Sequence, residues 1–105
     1  MWIDICAVDE IVPDTGVCAL VAERQIAIVR AGGRVYAIDN FDPFSRAYVM
    51  SRGIVGDKDG APKIASPIYK QSFDLRTGVC LDDPSVSIAV WEVRVRDGRV
   101  EVRDG

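Results

Sequence analysis

The C-terminal segment alternates between apolar and charged residues on both sides of an Asp-Gly dipeptide. Residues 91–96 read Trp-Glu-Val-Arg-Val-Arg, Asp97-Gly98 follows, and residues 99–103 read Arg-Val-Glu-Val-Arg. This pattern predicts a β-hairpin with a two-residue turn, because glycine, and aspartate less readily, accept positive φ angles. The predicted register pairs valines on one face and opposite charges on the other: Val95 with Val100, Val93 with Val102, Arg94 with Glu101, and Glu92 with Arg103. A shift by one residue would turn charged side chains toward the core, so the pattern specifies this register.

Similar short runs recur along the chain, while helical periodicity is almost absent. Residues 24–30 and 34–38 flank Ala31-Gly32-Gly33 and predict a second hairpin. Further strands are predicted at residues 2–7, 16–21, 54–55, 63–65 and 72–75. Many short strands separated by turn residues favour an antiparallel β-sandwich or small barrel. Because a length of 105 residues is typical of one domain, we expect a single all-β domain spanning residues 1–105.

The chain contains no histidine. Its composition therefore lacks the commonest general acid or base, the commonest metal ligand and the usual activator of serine or cysteine nucleophiles. A net charge of −3 with dispersed basic residues argues against nucleic-acid binding, which needs a cationic surface. Cys6, Cys18 and Cys80 are widely spaced, with no C-x-x-C motif, and this spacing fits neither a zinc site nor a four-thiolate iron–sulfur cluster. We interpret each cysteine as a small buried apolar side chain.

Neither a leader peptide nor a membrane span is predicted. Strand-like residues begin at Trp2, and no apolar run approaches the ~20 residues of a transmembrane helix. We therefore expect a reduced, cytoplasmic protein.

Two segments do not follow the alternating pattern. Residues 39–53 contain Pro43 and three aromatic residues, Phe41, Phe44 and Tyr48, and residues 66–71 read Ser-Pro-Ile-Tyr-Lys-Gln. Irregular loops of this kind in a small domain are often functional sites.

In these two loops the chain resembles Rieske-type iron–sulfur domains, whose loops carry C-x-H and, further on, C-x-x-H. The stretch Phe73-Asp74-Leu75-Arg76-Thr77-Gly78 is similar to the F-D-x-x-T-G sequence that follows the second Rieske loop. The resemblance places four residues at the positions of the cluster ligands: Asp42, Phe44, Ser66 and Tyr69. Iron–sulfur clusters of this type need thiolate and imidazole donors, and phenylalanine offers no lone pair at all. We therefore predict that this chain binds no cluster and no other metal.

A narrower resemblance links the chain to the small subunit of assimilatory NAD(P)H-dependent nitrite reductase, a family with a Rieske-like fold and no cluster. It rests on residues 42–45, 51–57 and 66–71, together with the N-terminal segments 2–7 and 13–20. The resemblance implies a non-catalytic subunit that partners a large subunit carrying FAD, a [4Fe–4S] cluster and sirohaem. Those cofactors would reduce nitrite to ammonium in nitrate assimilation.

In a Rieske domain the two loops form an exposed tip. We hypothesise that Phe44 and Tyr69 fill the volume of the missing cluster and that Asp42 and Ser66 form hydrogen bonds within the loops. The loops are then either packed remnants or a surface that docks on the large subunit. The docking interpretation rests on the aromatic content of the loops, since aromatic residues are enriched at interface cores. The candidate docking residues are Phe41, Phe44, Tyr48, Ile68, Tyr69 and Lys70.

Two other functions stay open from the sequence. The first is a cluster-free adaptor or regulatory module that binds another oxidoreductase. The second is an independent enzyme that uses Tyr69 beside Lys70, or Cys18 or Cys80 as a nucleophile, although no catalytic partner for these residues is evident.

Overall fold

The computed structural model describes residues 1–104, and these residues form almost only antiparallel β-structure. Two single-turn 3₁₀ helices lie between the strands, at Val8–Glu10 and Met50–Arg52, and neither is long or apolar enough to cross a membrane. The strands are β1 (Trp2–Ala7), β2 (Thr15–Val21), β3 (Arg24–Ala31), β4 (Arg34–Asp39), β5 (Phe41–Asp42), β6 (Ala47–Tyr48), β7 (Ile54–Lys58), β8 (Ala61–Ala65), β9 (Ser72–Asp74), β10 (Val90–Trp91), β11 (Val93–Arg96) and β12 (Arg99–Arg103).

The strands form four sheets. Their orders are β1-β12-β11 in the first, β10-β4-β3-β2 in the second, β5-β6 in the third and β7-β8-β9 in the fourth. The predicted all-β antiparallel fold is confirmed, and so are the predicted strands and the second hairpin, with ends that differ by up to three residues.

The C-terminal hairpin has the predicted register. Val93 pairs with Val102 and Val95 with Val100, and both residues of the Asp97-Gly98 turn have positive φ angles. The valines of β12 are fully buried, whereas Val95 is 48% exposed. Val95 is less covered than its pattern predicts because β11 is the edge strand of its sheet.

The run predicted as one strand over residues 91–96 is broken at Glu92. Val90 and Trp91 pair with β4 in the second sheet, whereas Val93 begins the pairing with β12 in the first sheet. The chain therefore passes from one sheet to the other at Glu92, as strands do at the corners of packed sheets. The alternating pattern continues through this corner, so the sequence alone did not reveal it.

The second sheet is the middle layer of the molecule. In β3, Ile26 and Ile28 point into a core shared with the first sheet, while Ala27 and Val29 point into a core shared with the fourth sheet. All four side chains are fully buried. A strand covered on both faces reads as a continuous apolar run, and Ile26-Ala27-Ile28-Val29 has this pattern. We call the core shared with the fourth sheet the second core; it includes Met50 and contacts Phe44, both from the first irregular loop.

The three cysteines occupy different environments. Cys80 is fully buried in the second core, as predicted. Cys6 is half-buried, and the pKa of its thiol is raised mainly because burial desolvates it. Cys18 is exposed, so its interpretation as a buried apolar residue was wrong. The physical reason is its position in β2, where Val17 and Ala19 face the core and Cys18 points to the other side.

Candidate docking site at two linked loops

The first loop (residues 39–53) is fixed at its base by Asn40. This side chain is 2% exposed and uses both of its polar ends. Its Nδ2 donates to Gln25 Oε1 at 3.1 Å and to the Cys18 sulfur at 3.5 Å, while its Oδ1 accepts the Ser51 N–H at 2.7 Å. Because its polar atoms are hydrogen-bonded, burial of this amide costs little free energy, and its bonds tie both ends of the loop to β2 and β3. Sequence reasoning missed Asn40, although a polar residue at the end of a buried strand was an available signal.

Within the first loop, residues 41–48 form a small hairpin that the sequence did not predict. Phe41 pairs with Tyr48 and Asp42 with Ala47, and the Arg46 N–H donates to the Asp42 carbonyl at 2.7 Å. The rings of Phe41 and Tyr48 meet edge to face, with centroids 5.1 Å apart. Pro43 and the short strand length obscured this pairing, since two-residue strands leave no alternation to detect.

The second loop (residues 66–71) is a tight closed turn. The Ser66 N–H donates to the Gln71 carbonyl at 2.9 Å, and the Lys70 N–H donates to the Ser66 carbonyl at 3.1 Å. The Ser66 hydroxyl oxygen also accepts the Ile68 N–H at 3.3 Å. These bonds hold the backbone of Ile68, Tyr69 and Lys70 at the outside of the turn.

Asp42 and Ser66 join the two loops. Both residues are fully buried, and the Ser66 hydroxyl donates to Asp42 Oδ2 at 2.6 Å, a bond between the loops where the hypothesis placed bonds within them. The same carboxylate accepts the Ser45 hydroxyl at 2.7 Å and, through Oδ1, the Phe44 N–H at 2.9 Å. Ser45 was not among the candidate residues, although a serine three residues after an aspartate in a turn is a recognisable pattern of local hydrogen bonding.

The Asp42 carboxyl group is ionised at neutral pH. Burial alone would raise its pKa, but the hydrogen bonds from Ser66, Ser45 and the Phe44 N–H stabilise the charged form more strongly. The pKa therefore lies below the ordinary value of 3.8. Hydrogen bonds to a charged group are stronger than those between neutral groups, so this carboxylate is a strong link between the loops.

The two aromatic residues that the resemblance places at ligand positions, Phe44 and Tyr69, behave differently. Phe44 is half-buried and packs on Phe73, with ring centroids 6.1 Å apart, and it contacts the second core. Tyr69 is 60% exposed. The hypothesis that Tyr69 fills the volume of a cluster is therefore wrong, because the closed turn directs this side chain outward.

The exposed candidates for docking are distributed over both loops. Tyr48 is 57% exposed, Ile68 is 46% exposed and Lys70 is exposed, while Phe41 and Phe44 are partly covered. Leu20, which the sequence analysis did not select, is 71% exposed and lines one groove together with Phe41 and Tyr48. Its place in β2, between the core-facing Ala19 and Val21, is the signal that could have revealed it, since alternate residues of a strand face opposite sides.

The fold and the pair of linked loops define a class of protein, a β-sandwich domain of Rieske type. The family model of the Rieske-like [2Fe-2S] domain matches residues 1–103. The nitrite reductase (NADH) small subunit of Escherichia coli strain K12 is 45% identical over 104 residues, which cover 97% of this chain and 96% of that one. The NMR structure of the Escherichia coli protein NirD superposes with a TM-score of 0.91 and 45% identity, over 100% of this chain and 97% of that chain. The chain belongs to the Rieske-like family and, within it, to the nitrite reductase small subunits, which confirms the resemblance seen in the sequence.

A further relative has a different chain organisation. The protein named nitrite reductase [NAD(P)H] large subunit of Klebsiella oxytoca is 45% identical over 101 residues, which cover 96% of this chain but only 11% of that protein. The counterpart of this chain is there part of one much longer polypeptide.

A [2Fe–2S] cluster, which the family description implies, does not fit the residues at the two loops. The Asp42 carboxylate accepts three hydrogen bonds, one of them from the Ser66 hydroxyl, and the Phe44 side chain has no atom that can coordinate iron. The remaining position, Tyr69, presents an exposed phenol rather than an imidazole. Among residues 1–104, no group of three or more cysteine, aspartate or glutamate side chains is arranged to hold a metal ion.

We predict that Asp42 stabilises the fold in a pH-dependent way. A carboxyl group whose pKa is lowered by folding contributes stability above its unfolded-state pKa, and the contribution is lost as the pH falls through the folded-state pKa. Asp42→Asn should lower the free energy of unfolding by about 2 kcal/mol at neutral pH. In urea unfolding, the difference from the wild type should be constant above about pH 6 and should shrink below the ordinary carboxyl pKa of 3.8.

The control for this measurement is Asp57→Asn, which changes an exposed carboxylate near the end of β7 and should cost less than about 0.5 kcal/mol. Equal effects of the two substitutions, or a difference that does not depend on pH, would contradict the assigned role of Asp42.

We also predict that the two aromatic residues of the loops, Phe44 and Tyr69, affect stability differently. Phe44→Ala should lower the free energy of unfolding by about 2–3 kcal/mol, because it leaves space beside Phe73. Tyr69→Ala should change it by less than about 0.5 kcal/mol, because the side chain lies mostly in solvent. Chemical denaturation of both variants measures these values, and a larger loss for Tyr69→Ala would contradict the packing described here.

Proposed function

We propose that this chain is the non-catalytic small subunit of an assimilatory NAD(P)H-dependent nitrite reductase, and that it acts in the cytoplasm as a single Rieske-like domain over residues 1–105. In this proposal a large subunit carries FAD, a [4Fe–4S] cluster and sirohaem, and reduces nitrite to ammonium there. This chain contributes no cofactor. The observation that carries the proposal is the 45% identity, over nearly the whole chain, to a protein named nitrite reductase small subunit.

The Klebsiella oxytoca relative supports the large subunit as partner. Its counterpart of this chain lies within the same polypeptide as the rest of a protein named large subunit. A covalent connection places the two parts at a high effective concentration, and separate chains that perform the same task need a binding interface instead. The exposed candidates on the loops, Tyr48, Ile68, Tyr69 and Lys70, are available for such an interface.

The chemistry of the loops supports a role without catalysis. Asp42 is the buried carboxylate at this site, and its oxygens are occupied by hydrogen bonds that lower its pKa, so it is a poor proton acceptor. The residues considered for an independent enzyme give no constellation either. Tyr69 and Lys70 are exposed neighbours, and Cys80 is buried in the core. Cys18 is exposed, and its sulfur has the side-chain amides of Gln25 and Asn40 as hydrogen-bond partners, which are not bases.

Co-purification tests the proposed partnership. The untagged chain, expressed together with the affinity-tagged large subunit of an NAD(P)H nitrite reductase from the same organism, should elute with it as a complex that oxidises NAD(P)H when nitrite is added. The tag on an unrelated flavoprotein serves as the control. Retention on a different oxidoreductase and not on the large subunit would support the alternative function, an adaptor for another enzyme.

Iron analysis tests the assignment of the four positions. The chain purified without oxygen should contain no iron and should show no visible absorption band. The fourfold variant Asp42→Cys, Phe44→His, Ser66→Cys and Tyr69→His restores C-x-H and C-x-x-H in the same loops. After reconstitution with iron and sulfide it should hold about two iron atoms per chain and become coloured. Iron in the wild type would overturn the proposal, and a folded variant that stays colourless would show that the positions are wrongly assigned.

A further inference from the structure

We infer that the large subunit binds the face of the domain where the chain termini meet, and that the first loop, not the second, takes part in this contact. We call this surface the terminal face and define it by six residues: Leu20, Arg24, Phe41, Tyr48, Val90 and Trp91. The inference rests on the proposed function and specifies which surface of the chain performs it.

The terminal face combines exposed apolar side chains with charged ones, since Glu23, Asp39, Glu92 and Arg103 line the same grooves. Leu20 is 71% exposed, Tyr48 is 57% exposed and Val90 is 43% exposed, and Phe41 lies against Tyr48. Single exposed apolar residues are normal on a protein surface, but neighbouring ones indicate an interaction site. Aromatic residues and arginine, which are enriched at interface cores, make up the remainder of the face.

A closed set of contacts holds the middle of the terminal face in one conformation. Arg24 Nη2 lies 3.1 Å and 3.3 Å from the two carboxylate oxygens of Asp39, and its guanidinium lies 5.0 Å from the centroid of the Trp91 ring. Trp91 Nε1 in turn donates to Asp39 Oδ1 at 2.9 Å. Binding at such a preorganised surface loses little side-chain entropy.

The face continues to the ends of the described chain. One groove is lined by Leu20, Arg24, Phe41 and Tyr48, and a second by Arg24, Val90, Trp91 and Asp104, so that Arg24 belongs to both. At the border of the second groove, the Met1 ammonium donates to the Asp104 carbonyl at 3.2 Å, and the Asp104 N–H donates to the Met1 carbonyl at 2.9 Å. The first and last described residues are therefore adjacent and lie beside the terminal face.

The fused relative identifies the occupant. A polypeptide that contains this fold as one part must enter or leave it through the position of Met1 or of Asp104, and both positions lie at the same edge. The rest of the large subunit is thus attached at the border of the terminal face, whichever end carries the connection. The apolar residues next to this attachment point are the ones it can cover with the shortest connecting segment. The second loop, with Ile68 and Tyr69, lines neither of the two grooves.

The charges of the terminal face fit a contact that depends little on salt. Arg24 is paired with Asp39, and Arg103 with Glu92 at 3.3 Å, so each basic side chain has its counter-ion within this chain. Electrostatic attraction to a partner through these two arginines is therefore weak, and we expect burial of the apolar side chains to supply the main contribution to binding.

The experiment compares variants at three exposed apolar positions: Leu20→Glu on the terminal face, Ile68→Glu on the second loop, and Val12→Glu, which is 65% exposed and lines neither groove. Binding to the immobilised large subunit is measured for each full-length chain after its melting temperature has been checked. Leu20→Glu should raise the Kd at least about tenfold, because it places an unpaired charge in an apolar contact. Ile68→Glu and Val12→Glu should leave the Kd within about twofold of the wild type.

A thiol beside the terminal face gives a second measurement in the unmodified chain. Cys18 is exposed and lies two residues from Leu20 in β2, on the same side of the strand, whereas Cys6 is half-buried and Cys80 is buried. The large subunit should protect Cys18 from alkylation by iodoacetamide in proportion to the amount of complex formed.

The outcomes separate the inference from the proposed function. If the wild-type chain does not bind the large subunit, the proposed function fails. If the wild type binds, but Leu20→Glu binds equally well or Cys18 stays fully reactive in the complex, the inference fails alone. An increase of the Kd for Ile68→Glu as large as that for Leu20→Glu also overturns it, because the second loop would then take part in the contact.

Discussion

The hydrogen bond from Ser66 to Asp42 connects the two parts of the site, and the arrangement of both loops depends on it. In a Rieske site the two loops are joined through iron, since each loop supplies one thiolate and one imidazole. Here a serine of the second loop and a carboxylate of the first loop make the connection at 2.6 Å, in full burial. A charge-assisted bond of this kind is weaker than metal coordination, but it needs no cofactor and forms as soon as the chain folds.

This bond can hold the loops in place because the core of the fold anchors the chain beside it. Asn40 fixes the base of the first loop on β2 and β3, Phe44 of that loop packs on Phe73, and Phe73 follows the second loop in β9 and lies in the core shared with the fourth sheet. The other face of β3 packs on the first sheet. Because β3 is buried on both faces, the site and the sandwich share one strand, and the first loop is positioned by a close-packed part of the fold.

The elements that could be predicted from the sequence are those in which a turn signal and the alternation of apolar and charged residues agree. The C-terminal hairpin follows from one turn dipeptide and one alternation, and its pairing is confirmed residue by residue. The corner at Glu92 was not predictable in this way, because alternation continues while the chain changes sheets. Leu20 and Cys18 were missed since they are apolar or thiol residues in a strand that reads as buried, and only the position of β2 at the edge of the second sheet leaves them uncovered. Hydrogen bonding by Asp42 and Ser66 could be predicted from the sequence. The outward direction of Tyr69 could not, because it depends on the backbone geometry of the turn.

The chemistry of the link also predicts that a single exchange toward a cluster ligand lowers the stability of these loops. If Ser66 alone were replaced by cysteine, the buried Asp42 carboxylate would lose its shortest hydrogen bond to a much weaker donor, and an unsatisfied buried charge costs more than about 1–3 kcal/mol. If Asp42 alone were replaced by cysteine, the hydroxyl groups of Ser45 and Ser66 would lose their common acceptor. Each single exchange therefore lowers stability before any metal ligand set is complete. The two loops are held together by this polar network. We expect their function to depend on the protein surface that they support and not on a bound metal ion.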